Sequence, residues 1–113
     1  MSPRSARLAD AAQAAPVFAA LGDATRLALM NRLTTGRPHS TAQLALGLPV
    51  TRQAVTKHLE VLSHAGLARD FRQGRERLWQ PEPKRLDEAL LYLDTISKRW
   101  DEALSRLKTF VET

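Results

Sequence analysis

The spacing of apolar residues changes period several times along the chain, and each change marks a different element. Val17, Phe18 and Leu21 fall on one helical face in residues 16–21, with Pro16 as a break before them. That helix can start as early as Arg7, across the alanine-rich stretch 9–15. Gly22 stops it, and Asp23 is placed to cap a second helix over residues 24–33. Its carboxylate can accept from the free N–H groups of the first turn. Leu27, Met30 and Leu33 give this helix an inward stripe. Residues 34–38 read as a loop. Ser40 and Gln43 then have the capping-box spacing that opens a short third helix, about 41–46.

Gly47, Leu48, Pro49 and Val50 interrupt the pattern, and Thr51 caps a fourth helix over 52–65 that ends at Gly66. On it Val55, His58, Leu59 and Leu62 share one face, while Gln53, Thr56, Lys57 and Glu60 lie opposite, flanked by Arg52. Two helices joined by a short glycine-containing turn are the signature of a helix-turn-helix. Beyond Gly66 the period shortens. Residues 67–72 and 75–80 read as two strands around a Gln73–Gly74 turn, with Phe71, Leu78 and Trp79 as their bulk. Glutamine tolerates positive φ poorly, so this is a weaker turn than Asn-Gly. Arg69, Arg72, Arg75 and Arg77 stud the hairpin.

Pro81 and Pro83 end the hairpin, and residues 84–111 read as one long helix. Leu86, Leu90, Leu93, Ser97, Trp100, Leu104, Leu107 and Val111 alternate spacings of four and three, a heptad stripe with one polar insert. A domain this small cannot cover such a stripe with its own core, and the simplest cover is a second copy. The expected fold is mainly α with a small β-hairpin: a winged helix-turn-helix with a long C-terminal dimerisation helix. It divides into an extension at 1–15, partly helical or frayed, a DNA-binding domain at 16–82, and the dimerisation helix at 83–113, one structural unit with that domain.

Charge sharpens this picture. The 113 residues carry a formal net charge of +5. Residues 1–80 hold eleven Lys/Arg against five Asp/Glu, whereas 81–113 hold six against seven. The basic excess therefore lies on the helix-turn-helix and hairpin, as a polyanionic partner requires. Double-stranded DNA is the expected partner. Thr51, Arg52, Gln53, Thr56 and Lys57 are the candidate contacts from the fourth helix, with Arg72, Arg75 and Arg77 from the hairpin. Arginine and glutamine can each bond two atoms of a base edge, while Thr51 and Lys57 suit phosphate as well.

Cysteine is absent, which excludes disulfides and thiolate metal sites. No phosphate-binding glycine loop, H-E-x-x-H or G-x-S-x-G motif supports an enzyme. His58 reads as a partly buried structural histidine, and His39 and His64 as loop or surface residues. No stretch approaches the roughly 20 apolar residues of a membrane span, and no signal-peptide pattern precedes the domain, so the expected location is cytoplasmic without a membrane partner.

Three motifs resemble one family. Leu21-Gly22-Asp23-Ala24-Thr25-Arg26-Leu27-Ala28-Leu29-Met30 is similar to the L-G-D-P-T-R-x-x-I-L signature of ArsR-type regulators, with Ala24 in place of the usual proline. Thr51-Arg52-Gln53-Ala54-Val55-Thr56-Lys57-His58-Leu59-Glu60-Val61-Leu62 resembles their recognition helix, and Ala65-Gly66-Leu67-Ala68 their step into the wing. The resemblance implies a homodimeric cytoplasmic repressor that dimerises through its first and last helices. Val17, Phe18 and Leu21 would then join Leu90, Leu93, Trp100, Leu104 and Leu107 in the interface, over a near-palindromic operator.

Metal-sensing members of that family carry cysteines around the third helix or Asp/His and His/Glu ligands on the last. Here Thr41-Ala42-Gln43-Leu44-Ala45-Leu46 has no thiol and the last helix has no histidine. No metal or cofactor is expected, and no inducer is indicated. The alternatives are a winged helix used as a protein-interaction module, against which the basic charge argues, and a DNA-binding regulator of another winged topology.

Overall fold

The computed structural model describes residues 3–112, with side chains from residue 11 onward. The element order is α1 (Pro3–Leu21), α2 (Ala24–Leu33), β1 (His39–Ser40), α3 (Thr41–Ala45), α4 (Arg52–His64), β2 (Ala68–Gln73), β3 (Glu76–Pro81) and α5 (Pro83–Glu112). This is a winged helix-turn-helix, mainly helical, with a three-stranded antiparallel sheet in the order β1-β3-β2.

Local caps place the elements much as expected. Asp23 accepts the Arg26 amide at 3.0 Å and starts α2. Ser40 accepts the Gln43 amide at 3.1 Å while the Gln43 side chain accepts the Ser40 amide at 2.9 Å, which closes the capping box. Both satisfy N–H groups that a helix cannot bond internally. The core lies where α1, α2, α3, α4 and the sheet converge, on Leu29, Leu33, Leu44, Val55, Leu59, Leu62, Leu67 and Trp79.

Several expectations are corrected. α1 is continuous through Pro16, so the division between residues 15 and 16 falls inside a helix. Ala14, Val17 and Ala20 are buried on one side of α1, which packs chiefly on α5. That packing holds the helix together across the missing N–H of Pro16. Leu27 does not point inward: it is 53% exposed, and α2 buries Leu29 with Met30 and Leu33 instead. His39 is not on a loop. It forms a third strand with Ser40, facing Trp79 and Leu78. The hairpin turn is Gly74–Arg75, one residue later than expected, with Gln73 paired to Glu76 inside the ladder. Gly74 takes the single positive φ, 63°, so glutamine never needs one.

Gly66 closes α4 at φ 78°. Its amide bonds Ser63 O at 3.0 Å and the next amide, Leu67, bonds Leu62 O at 2.9 Å, the paired bonds of a left-handed helix stop. A Cβ here would lie 2.5 Å from Arg85 Cγ on α5. Gly66→Ala should therefore cost about 1–3 kcal/mol, from the strained φ and the displaced Arg85 side chain. Urea unfolding checks this, and an unchanged midpoint would count against the packing described.

Candidate nucleic-acid interface

The turn between α3 and α4 is braced from α2. The Arg32 guanidinium donates to Leu44 O at 2.9 Å and also to Leu46 O. Thr51 Oγ1 then accepts the Ala54 amide at 3.0 Å and starts α4. Val55, Leu59 and Leu62 are fully buried, which fixes the rotation of α4 about its axis. Arg52, Gln53 and Lys57 are consequently exposed on its far side, with Thr56 half-buried among them.

The two hydroxyls differ in what they have left to give. Thr51 spends an acceptor on its cap and keeps its O–H, which can donate to a phosphate. Thr56 donates to Arg52 O at 3.1 Å and keeps only acceptor capacity.

The wing is tied to this helix pair through Trp79. Its ring is fully buried and its Nε1–H donates to Thr41 Oγ1 at 2.9 Å. Composition indicates that Trp79 is bulky, but only the fold shows its partner. Of the four hairpin arginines, Arg69 lies 3.7 Å from Glu82. Arg77 is also engaged: its Nε donates to Asp70 at 2.7 Å and its Nη1 lies 3.6 Å from Glu60 on α4. Arg77 is thus already engaged in internal ion pairs, unlike the other two arginines named as hairpin contacts. Arg72 and Arg75 are exposed and, among the described residues, have no carboxylate partner. An open cleft brings Arg52 together with Arg75, Glu76 and Arg77, over Ser40, Thr41 and Ala42.

His58 sits behind this surface, half-buried. Arg26 Nη1 lies 3.1 Å from its Nδ1, and Asp23 lies 3.9 Å away. Arg26 also donates from Nε to Ala20 O, so one side chain joins α1, α2 and α4. The Asp23 carboxyl is held below the ordinary carboxylate range by the bond from the Arg26 amide. Partial desolvation opposes that shift, and the charges of Arg26 and His58 reinforce it. Among the described residues no group of three His, Cys, Asp or Glu could hold a metal ion.

On α5, Ala89 is buried and Leu86 and Tyr92 pack on the core. The rest of the stripe is uncovered: Leu90, Leu93, Trp100, Leu104 and Leu107 are all exposed, Trp100 at 63%. Every residue from 97 to 112 is exposed, roughly 24 Å of bare helix. Phe18 on α1 is exposed and Leu21 half-buried, but Val17 is 1% exposed. Val17 belongs to the core of its own protomer and has no surface to offer a second copy, a correction to its expected place.

Comparison with known proteins agrees with this geometry. A helix-turn-helix domain model matches residues 21–70. The HTH-type transcriptional regulator Rv2034 of Mycobacterium tuberculosis is 38% identical over 94 residues, 83% of this chain and 84% of that protein. An ArsR-like transcriptional regulator from Rhodococcus sp. RHA1 is 36% identical, with a TM-score of 0.73 over 88% of this chain and 92% of that one. This chain belongs to the ArsR-type family of winged helix-turn-helix transcriptional regulators. A further similar structure is the homodimeric winged helix-turn-helix DNA-binding domain Mb0332 from Mycobacterium bovis. It is 25% identical, with a TM-score of 0.62 over 94% of this regulator and 93% of that domain. No described helix of the regulator is long and apolar enough to cross a membrane.

The Trp100 stripe generates a direct expectation. If it is the seam between two copies, Trp100→Asp places an unpaired charge there in each. The dimer dissociation constant should rise by at least about 100-fold, because burying an ion costs several kcal/mol. Sedimentation at micromolar concentration should show a mass near twice 12.6 kDa for the parent chain and a monomer for the variant. A parent chain that sediments as a monomer would contradict the seam.

Proposed function

We propose that this regulator is a cytoplasmic homodimer that binds a near-palindromic DNA operator and represses the adjoining gene. It acts without a catalytic site. The observation that carries this reading is the capped amino end of α4. Arg52, Gln53 and Lys57 project from it unobstructed, beside two wing arginines with no carboxylate partner among the described residues. An exposed helix end of this kind fits a major groove about 12 Å wide, with arginine and glutamine able to reach base edges. Arg72 and Arg75 then meet the phosphates alongside.

The homodimer is supported by the uncovered stripe on α5 and by kinship with a domain described as homodimeric. A two-fold axis relates the two recognition helices, so the half-sites are inverted and lie about one helical turn, roughly 34–36 Å, apart or a multiple of it. The dimerisation helix is taken to start near residue 83, where α5 begins; its first turns join the core through Leu86, Ala89 and Tyr92 before it runs beyond the DNA-binding body. Repression is supported by the family kinship. It is tested by deleting the gene and asking whether transcription next to the operator rises.

Base reading and phosphate attraction separate by measurement. Arg52→Ala or Gln53→Ala should cost about 1–3 kcal/mol per half-site and relax the preference at particular base pairs. Arg72→Ala or Arg75→Ala should weaken binding to all sequences alike. Each should shrink the logarithmic salt slope by about 0.9 for every phosphate that is no longer neutralised. The measurement is affinity for a selected and a shuffled duplex at several salt concentrations. If the helix variants keep full discrimination while a wing variant loses it, the reading element is the wing.

A further inference from the structure

Arg77 is the most connected side chain at the junction of wing and recognition helix. On β3 it shares a face with Trp79, two residues on, and its guanidinium carbon lies 4.4 Å from that ring's centroid. One edge of the guanidinium bonds Asp70 on β2 at 2.7 Å, and Nη1 approaches Glu60 on α4 at 3.6 Å. Trp79 is itself pinned to Thr41 of α3. Three elements, β2, β3 and α4, thus meet on one planar cation, and Trp79 links it onward to α3. Arg72 is the cross-strand partner of Arg77, so Asp70 and Glu60 also offset two like charges placed side by side.

We propose that Arg77 is a positioning residue, which through Asp70 and Glu60 sets the angle between the wing and α4 so that both engage one duplex. This rests on the DNA reading above. Stability is not its role. Side chains 32–45% exposed form ion pairs of small net worth, and the hydrophobic core stands without them. What the pairs control is direction. Arginine's rigid fork can hold two carboxylates at fixed angles, whereas lysine offers a single flexible point charge. Glu60 lies on the same polar side of α4 as Arg52, Gln53, Thr56 and Lys57, where an acidic group repels phosphate. Its presence there is explained by the wing it holds.

That placement gives a test in which the two accounts differ in sign. If Glu60 merely faces DNA, Glu60→Gln removes repulsion and tightens binding. If Glu60 anchors the wing through Arg77, Glu60→Gln weakens binding to a duplex selected from a random pool by the parent chain, by about three- to tenfold. Binding to a shuffled duplex then changes little, and the thermal midpoint stays put. Arg77→Lys keeps the charge and should show the same loss, with no further loss when both changes are combined. A readout free of DNA accompanies these. The chain lacks cysteine, so Gln73→Cys and His64→Cys can carry spin labels selectively. Their distance distribution should be narrow in the parent and broad with Arg77→Lys. Tighter binding by Glu60→Gln, or an unchanged label distribution, overturns the proposal while leaving DNA binding intact. A parent chain that selects no duplex fails the DNA reading itself and removes the proposal with it.

Discussion

Everything at the DNA-facing surface depends on how α4 is rotated about its own axis. Val55, Leu59 and Leu62 recur at helical spacing and are wholly withdrawn from water. Burying three such side chains is worth several kcal/mol, about 1.5–3 for each. Turning the helix by one residue, about 100°, would forfeit most of it. With the rotation fixed, Arg52, Gln53 and Lys57 have one direction in which to point. Polar residues are free to face a duplex here because apolar residues hold the platform.

The same economy governs the distant end of the molecule. α5 begins as part of the core, with Ala89 buried and Leu86 and Tyr92 against the domain, and then runs on beyond it. A long apolar face in water is a standing cost, and in the proposed homodimer a second α5 removes it. In that proposed assembly symmetry carries through to function, since two copies related by a two-fold axis present two recognition helices in opposite senses. The nearly balanced charge of this region suits a seam between copies, as the basic excess of the first 80 residues suits a polyanion.

The parts legible in the sequence are those decided locally. The Asp23, Ser40 and Thr51 caps are bonds across three residues, so composition and spacing suffice to find them. The buried face of α4 follows from one period. What escaped depends on contacts between distant segments. β1 has two residues and no period of its own, and exists because β3 lies beside it. Val17 has the spacing of an interface residue, yet α1 lies against α5, and Val17 is buried. Arg77 and Arg75 are equivalent by composition. Only the cross-strand register puts Asp70 within 2.7 Å of one and leaves the other at the tip. That register follows from a turn at Gly74–Arg75, and a slip of one residue exchanges the faces of a strand.

The central claim is that two α4 helices read the major groove from one symmetric dimer. Interference by methylation at guanine N7, which blocks the floor of that groove, tests it most directly on a duplex selected by the protein. The account predicts two clusters of interfering guanines, related by a dyad and separated by about one helical turn or a multiple of it. A single cluster, or binding indifferent to N7 methylation at guanines throughout the protected site, would contradict it.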